Sequence, residues 1–396
     1  MKDSILVINC GSSSLKFAIL ANAGKTTLVE GIADRLGSSE SSITFKYDGQ
    51  KNVIALNDGS HKNAVSQIKL WLENHTSIQA SLVGIGHRVV HGGEAFTKSV
   101  LINQDVINGI TDCAKFAPLH NPAHAKGIEV AFELFEGLPQ VAVFDTAFHQ
   151  TLEPEQYLYP IPMSFYRDHH FRKYGFHGTS YRYISQRLAQ ISIGSDQQGV
   201  LVAHLGNGAS TCAISHGKST DTSMGITPLE GLMMGTRSGS IDPSLISFIS
   251  QAENITADEA LDILSKKSGL LGVSEISNDC RTLEEAMMSG DQRAKLALDM
   301  FASRTAKHLA SVATSLESID HLVFTGGIGE NSSYLRQAIC NNLTALNINI
   351  DSTLNENAPR GAEQNITATN SKTTVWVIPT NEELMIALDT ISLIQH

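Results

Sequence analysis

Apolar and polar positions near the start of the chain predict a buried β-hairpin. Two short apolar runs rich in β-forming residues lie within residues 5–20, and small polar residues at 9–14 join them. Gly11 lets the backbone turn there, so amide hydrogens and serine hydroxyls point at one small volume. Taken alone, the stretch fits either a phosphate cradle or an ordinary hairpin with a polar tip.

The remaining pattern predicts a mixed α/β order in two similar halves. In the first half, strands are predicted at residues 28–33, 42–47, 53–56, 82–86 and 140–144, and helices at 64–74 and 126–135. In the second half, a hairpin is predicted at residues 199–215, strands near 219–223, at 321–325 and at 374–378, and helices at 257–267, at 291–316 and from 379–383 onward. Residues 87–93 are predicted to form a functional loop and residues 351–372 a surface excursion. Because the order of elements recurs, the chain is expected to hold a duplicated domain, with a ligand cleft between the two copies.

Composition and charge narrow the classes of partner. With 396 residues the chain exceeds what one hydrophobic core usually supports, which favours two domains. A net charge of −11 argues against nucleic acid and against an anionic membrane surface, so an anionic ligand must be held by local arginines and amides. The lead before the first strand is too short for a secretory signal, no apolar run reaches the length of a membrane span, and the five cysteines form no CxxC pair. We therefore expect a cytoplasmic protein.

Common cofactor motifs are incomplete. The stretches ending at Lys218-Ser219 and Lys25-Thr26 lack the earlier glycine of a Walker A loop, and Gly327-Ile328-Gly329 lacks the third glycine of a dinucleotide fingerprint. These absences disfavour a P-loop protein and an NAD-binding protein.

Ten polar, glycine-rich segments carry Arg, His, Asp and Asn among small residues, and each is predicted to end an apolar strand. They are NCGSSSLK, GHRVVHGG, APLHNP, VFDTAFHQT, YGFHGTS, HLGNGAS, MGTRSGSIDP, SNDCR, FTGGIGEN and PTNEE. Any one of them fits a structural turn, whereas ten in one chain indicate the lining of one anion-handling site.

In this order the ten segments resemble those of the acetate kinase family, which includes acetate and propionate kinases and belongs to the sugar kinase, Hsp70 and actin superfamily. The resemblance runs from residue 5 to about residue 388. It implies two ribonuclease-H-like domains from a duplicated unit, with an interdomain active-site cleft. Residues 1–148 plus 380–396 would form the first domain, and residues 149–379 the second, which would bind the nucleotide and form the interface of a homodimer. It also implies reversible Mg²⁺-dependent, direct in-line transfer of the γ-phosphoryl of ATP to acetate, giving acetyl phosphate and ADP.

The resemblance also assigns roles to residues, motif by motif. The catalytic positions are Arg88, His120, Asp145, His177 and Arg237. The positions that bind ATP or ADP are Ser12, Ser14, Lys16, His204, Asn207, Gly208, Asp279, Arg281, Gly327, Ile328, Gly329 and Asn331. A small apolar pocket for the acyl methyl would be formed by Val90, Leu119, Phe176 and Pro228, and Mg²⁺, with Mn²⁺ as an alternative ion, would be held near Asn9, Asp145 and Glu382.

The chemistry explains this inventory. Both reactants are anions, so fixed cations must offset their repulsion. A carboxylate nucleophile carries no proton and needs no general base, so Asp145 is interpreted as a metal and positioning residue. His177 is interpreted as a hydrogen-bond donor to the phosphoryl oxygens, with a purely structural histidine as the alternative there and at His120.

Two positions depart from the family pattern. Ser240 stands where the family usually has Asp, which puts the orientation of Arg237 in question, and Tyr181 stands where it usually has His, which is expected to affect packing behind His177. Two other functions stay open. One is a propionate kinase, although Val90 favours the smaller acid. The other is an ATP-switched binding protein of the actin or Hsp70 type.

Overall fold

The computed structural model describes residues 3–118 and 120–395 of the chain. The chain divides into two compact units. Unit 1 comprises Met1–Gln150 and Asn381–His396, and unit 2 comprises Thr151–Thr380.

Unit 1 is built on an eight-stranded sheet. Its strands are β1 (Ser4–Cys10), β2 (Leu15–Ala21), β3 (Thr26–Asp34), β4 (Ser42–Tyr47), β5 (Gln50–Ala55), β6 (Leu82–Val89), β7 (Val100–Leu101) and β8 (Gln140–Phe144). Their order in the sheet is β5-β4-β3-β2-β1-β6-β8-β7. The predicted first hairpin is confirmed, since β1 and β2 pair antiparallel with Asn9 opposite Lys16, and β6 then pairs with β1 in parallel.

Helices cover both faces of this sheet, because successive side chains of a strand point to opposite sides. The helices of the first segment are α1 (His61–Glu73), α2 (Thr76–Ser81), α3 (Gln104–Asp112) and α4 (Asn121–Leu134), with 3-10 turns at Cys113–Lys115 and Ala147–Thr151. Leu6 and Ile8 of β1 share a core with α1 and α4. Ile5 and Val7 share the opposite core with the C-terminal helix of the chain, Glu382–Ile394.

Unit 2 repeats the central arrangement. Its strands are β9 (Val200–Leu205), β10 (Ala209–Ser215), β11 (Lys218–Thr222), β12 (His321–Thr325), β13 (Gln364–Asn365) and β14 (Thr374–Val377), in the order β11-β10-β9-β12-β14-β13. The hairpin strand β9 pairs in parallel with β12, which pairs in parallel with β14, just as β1 pairs with β6 and β6 with β8. The predicted mixed α/β fold is confirmed.

Five of the eleven described α-helices of unit 2 lie between β11 and β12 in the sequence. The eleven described helices are α5 (Pro154–Tyr157), α6 (Met163–His169), α7 (Gly178–Ile191), α8 (Ser244–Glu253), α9 (Ala257–Lys266), α10 (Gly269–Ser274), α11 (Cys280–Met288), α12 (Gln292–Ala313), α13 (Gly326–Asn331), α14 (Ser333–Asn341) and α15 (Ser352–Glu356). Further 3-10 turns lie at Ser195–Gln197 and Thr344–Leu346. The long helix α12 packs on β9 and β10, and the C-terminal helix, α16, completes unit 1. In the described part of the chain, no helix combines the length and the apolarity needed to span a bilayer.

Two predictions about loops were wrong. The loop expected at residues 87–93 begins later, because His87 and Arg88 pair with the neighbouring strands and extend β6 to Val89. Residues 351–372 lie mostly at the surface, as predicted, although Asn355 and Ile366 are 1% and 0% exposed. Four of the ten polar segments do not end a strand: APLHNP, YGFHGTS and SNDCR precede helices, and MGTRSGSIDP is irregular.

Candidate active site

In unit 1, Arg88 and Asp145 form a forked ion pair. Arg88 lies near the end of β6, and Asp145 directly follows β8, where its backbone N–H donates to the Val89 carbonyl. The Arg88 Nη2 lies 2.5 Å from one Asp145 carboxylate oxygen, and Nε lies 3.1 Å from both. The side chain of Asp145 is 1% exposed, so the carboxylate is buried against the guanidinium of Arg88.

Glu382 brings a second carboxylate to the same place. It is the first residue of α16, whose N-cap Asn381 accepts a hydrogen bond from the Leu384 backbone. Burial raises the pKa of Glu382 to about 7, Arg88 opposes that rise, and the neighbouring Asp145 adds to it. Burial alone would lower the pKa of Arg88, but Asp145, Glu382 and Glu383 raise it above its ordinary value.

These residues fit a divalent cation. The Glu382 Oε1 is buried without a hydrogen-bond partner, so this oxygen is suited to bind a cation. Asn9 and Glu382 line one cavity of about 360 Å³ with Lys16 and Arg88. Within residues 3–118 and 120–395, no three His, Cys, Asp or Glu side chains form a metal cluster. Two carboxylates and an amide, completed by water, are the ligand set that Mg²⁺ takes rather than zinc.

A backbone hydrogen bond stabilises the turn between β1 and β2, and part of the turn is exposed to solvent. The Gly11 backbone N–H donates to the Ser14 carbonyl at 2.7 Å, while Ser12 is exposed. His61, the first residue of α1, places its Nε2 2.7 Å from the Gly11 carbonyl. The sequence reading assigned no role to His61, because only the fold brings it to a turn fifty residues away.

Val90 and His120 are the remaining described candidates of unit 1. Val90 directly follows β6 and is 6% exposed, and His120 directly precedes α4. His124, one helical turn after His120, is 3% exposed, and burial lowers its pKa, with Arg88 and His120 adding to the effect. Leu119 lies outside the described residues.

In unit 2, three predicted residues meet at one point. A Cβ added at Gly208 would lie 3.5 Å from the Arg237 Nη1 and 3.6 Å from the His177 Nε2. His177 directly precedes α7 with a φ of +58°, a left-handed conformation that is uncommon for residues other than glycine. The loop between β9 and β10 thus leaves room for a ligand atom between a guanidinium and an imidazole.

Arg237 is a half-buried cation without a counter-ion in the described part of the chain. Its Nη1 donates to the Pro228 carbonyl at 3.4 Å and lies 3.7 Å from the Met234 sulfur. Burial lowers its pKa. The hydroxyl of Ser240 accepts a hydrogen bond from the Gly231 backbone N–H at 3.0 Å.

A second predicted histidine of unit 2, His204, packs on His177. His204, in β9, stacks on His177 with ring centroids 4.2 Å apart, and its Nδ1 lies 2.9 Å from the Ser180 Oγ. Ser180 in turn lies 2.7 Å from the Thr380 hydroxyl. His204 therefore supports the ring of His177. Phe176, adjacent to His177 and 2% exposed, is placed as a core side chain.

A separate cavity of about 570 Å³ in unit 2 has the size of a nucleoside site. Its lining includes the predicted residues Asn207, Asp279, Arg281, Gly327, Ile328 and Asn331. Gly329 is buried and does not line it. Asp279 serves as the N-cap of α11, accepting from the Thr282 backbone at 2.9 Å. Arg360 also lines the cavity, and the sequence reading missed it because residues 351–372 were interpreted as a surface excursion.

A buried guanidinium stabilises the wall of this cavity. Arg336, 2% exposed, donates to the Gly329 and Glu330 carbonyls at the end of α13. It also donates to both the side chain and the backbone of Asn355 in α15, at 2.7 and 2.9 Å. The carbonyls at the C-terminal end of a short helix are thereby satisfied from within the protein.

The two α/β units carry clustered cations, acidic side chains suited to Mg²⁺ and a nucleoside-sized cavity, which are the features of a phosphotransferase. Comparison with known proteins agrees. The model of the Acetokinase family matches residues 4–388. An acetate kinase of Chromobacterium violaceum is 50% identical over 394 residues, covering 99% of both chains. Among solved structures, a propionate kinase from Francisella tularensis aligns with a TM-score of 0.94 at 46% identity, covering 99% of this chain and 100% of that one. The acetate kinase of Porphyromonas gingivalis aligns with a TM-score of 0.93 at 42% identity, covering 99% of each. The chain belongs to the acetokinase family, as its ten segments predicted.

Proposed function

We propose that this kinase catalyses reversible, Mg²⁺-dependent transfer of the γ-phosphoryl of ATP to acetate, giving acetyl phosphate and ADP. The observation that carries the proposal is the grouping of Arg237, His177 and Gly208 around one open point, with no carboxylate paired to Arg237 in the described chain. A half-buried guanidinium without a counter-ion is suited to bind an anion, and a carboxylate or a phosphoryl group matches its fork.

The charges of the two units fit the demands of this reaction. Acetate reacts as an anion, so it needs cations nearby and no base to remove a proton. Arg237 in unit 2 and Arg88 in unit 1 supply fixed guanidinium groups that need little reorganisation. An arginine in contact with a transferring phosphoryl group contributes about 10³- to 10⁵-fold in rate.

Asn9, Asp145 and Glu382 would hold Mg²⁺. When bound, the ion neutralises charge on the phosphates and orients them. Arg88 holds the Asp145 carboxylate in place through its forked contact, and Lys16 adds a positive charge to the cavity wall. Ser12 and Ser14 present hydroxyls from the turn between β1 and β2.

ATP or ADP would bind unit 2. Asn207 and Gly208 offer a tight loop to the phosphates, and the Asn207 side chain is fixed by a 2.9 Å hydrogen bond from Asn278. Arg281, Gly327 and Asn331 line the cavity proposed for the nucleoside.

We also propose that the protein forms a homodimer through unit 2. Ile161, Met163 and Phe165 in and before α6, and Leu245 and Phe248 in α8, are each at least 40% exposed. Large apolar side chains grouped on surface helices are typical of protein interfaces. A cytoplasmic location stays a prediction.

The test is to incubate the purified protein with Mg-ATP and either acetate, propionate or butyrate, and to trap acyl phosphate with hydroxylamine. Acetate should give the highest kcat/KM, with a loss of about 10- to 200-fold for each added methylene. EDTA should abolish product. A higher kcat/KM for propionate would assign the protein to propionate kinases, which the Francisella relative makes the second candidate. ATP hydrolysis without any acyl phosphate would overturn the proposal and favour an ATP-switched binding protein.

A further inference from the structure

We propose that Tyr181 is a positioning residue that sets the tautomer of His177 through the hydroxyl of Ser210. The inference rests on the proposed function, because the expected proton position serves the binding of a phosphoryl oxygen, but the tautomer itself can be observed without turnover.

The three side chains form a continuous line of hydrogen bonds. The Tyr181 hydroxyl lies 2.5 Å from the Ser210 Oγ, and the Ser210 Oγ lies 2.8 Å from the His177 Nδ1. Tyr181 sits in the first turn of α7, where its backbone N–H donates to the His177 carbonyl at 3.0 Å. Ser210 comes from β10, directly opposite His204. The hydrogen bonds therefore connect the first turn of α7 and strand β10 to the Nδ1 side of the His177 imidazole.

Each member of the line is fixed by burial. Tyr181 and Ser210 are both 0% exposed. Burial raises the pKa of the Tyr181 phenol well above its ordinary value, so the hydroxyl keeps its proton at physiological pH. The thiol of Cys212, close by, adds to that effect. The Tyr181 hydroxyl therefore has a proton to donate at physiological pH.

The proposed direction of the hydrogen bonds starts from the Tyr181 hydroxyl as the donor. When the Tyr181 O–H donates to the Ser210 oxygen, the one proton of Ser210 is left to donate to the His177 Nδ1. A neutral imidazole that accepts at Nδ1 carries its own proton on Nε2. The Nε2 atom is the one near Gly208 and Arg237.

The opposite direction of these hydrogen bonds would disfavour the binding of a phosphoryl group. If His177 donated from Nδ1 to Ser210, the lone pair of Nε2 would face the point where an anionic phosphoryl oxygen is expected. A lone pair repels that oxygen, whereas an N–H stabilises it. Tyr181 therefore acts on the reaction through His177, without contacting the substrate.

The direct test is an NMR spectrum of protein labelled with ¹⁵N-histidine, in which long-range couplings distinguish a protonated ring nitrogen from an unprotonated one. The His177 signals are assigned by comparison with His177→Gln. We expect wild-type His177 to carry its proton on Nε2, and Tyr181→Phe to populate both tautomers.

Kinetics supply the second readout. Tyr181→Phe should lower kcat about tenfold, the value of one hydrogen bond, while KM for ATP and for acetate changes less than twofold. Tyr181→His should recover most of the lost kcat, because an imidazole N–H can also donate to Ser210. Tyr183→Phe, on the same helix and half-buried, is the matched control and should leave both the tautomer and kcat unchanged.

Two results would overturn the inference. One is a wild-type His177 that carries its proton on Nδ1. The other is a Tyr181→Phe protein that keeps both the Nε2 tautomer and the wild-type kcat. If Tyr181→Phe fails to fold, Ser210→Ala breaks the same line and must show the same mixed tautomers. A wild-type protein with the Nε2 tautomer but no acyl phosphate product would refute the proposed function and leave the role of Tyr181 standing.

Discussion

Replacing Glu382 by Gln should stabilise the metal-free protein, by an amount that grows with pH. Burial raises the pKa of this carboxyl from an ordinary 4.5 to about 7 in the folded chain. The folded state therefore binds the proton more tightly than the unfolded state. The stability that this proton supplies is complete below pH 4.5 and is lost as the pH rises through 7.

The size of the effect follows from the interval between the two pKa values. At about 1.36 kcal/mol per pKa unit, an ionised Glu382 lowers the free energy of unfolding by about 3 kcal/mol above pH 7.5. Gln has nearly the same shape and no charge, so the variant does not lose stability through ionisation at this position. Glu382→Gln should therefore be more stable than wild type by about 1 kcal/mol at pH 5 and about 3 kcal/mol at pH 8.

The assay is urea unfolding in EDTA, followed by tryptophan fluorescence. The chain has two tryptophans, Trp71 in the core of unit 1 and Trp376 in β14 of unit 2. Placing Trp376→Phe in every protein makes the signal specific for unit 1. Glu383→Gln, which removes the exposed neighbouring carboxylate, is the matched control and should shift stability by less than about 1 kcal/mol.

Mg²⁺ provides a further check. Adding the ion should raise the urea midpoint of the wild type and leave that of Glu382→Gln nearly unchanged, because only the wild type retains both carboxylates. An advantage of the Gln variant that is equal at pH 5 and pH 8, or a variant that is less stable at pH 8, would refute the reasoning.

Three further predictions concern unit 2. Gly208→Ala should fold normally, since its added methyl meets only ordinary contacts, yet should raise KM for ATP at least tenfold by filling the space beside Arg237; an unchanged KM would remove this point from the site. Arg237→Ala should lower kcat by about 10³-fold or more with an unchanged circular dichroism spectrum, and Arg237→Lys should not restore it, because an ammonium lacks the fork. Arg336→Ala should weaken ADP binding, measured by calorimetry, at least tenfold by releasing the end of α13 from Asn355; binding at the wild-type level would show that the cavity wall does not need this anchor.

The apolar runs of the sequence predicted most strands of the two sheets, because a hairpin has a recognisable pattern of two apolar runs joined by a turn. Helix α8 was not predicted, because none of its residues is buried and no single apolar stripe marks a core face. Its Phe248 is 63% exposed. Likewise, residues 87–89 carry charge within a strand, which a pattern of polarity interprets as a loop.

Some contacts of the candidate site could be predicted from the sequence and others could not. Arg88 and Asp145 could be found from sequence, since each lies at or beside the end of an apolar strand of the same sheet. The contact between Tyr181, Ser210 and His177 could not, because it depends on the angle at which a helix meets a strand. The anchor from Arg336 to Asn355 depends on a polar stretch folding back on a helix, which no local pattern reveals.

Unit 1 is assembled from two pieces of chain that are separated by the roughly 230 residues of unit 2. Ile386 and Ala387 of the second piece cover Ile5 and Val7 of the first. On the ribosome that apolar sheet face therefore waits about 10 to 50 s for its cover, at synthesis rates of about 5 to 20 residues per second. During this interval the nascent chain presents a surface that invites aggregation and chaperone capture. Glu382 also emerges only after unit 2, so a chain that stops before it lacks one of the acidic side chains proposed to hold Mg²⁺.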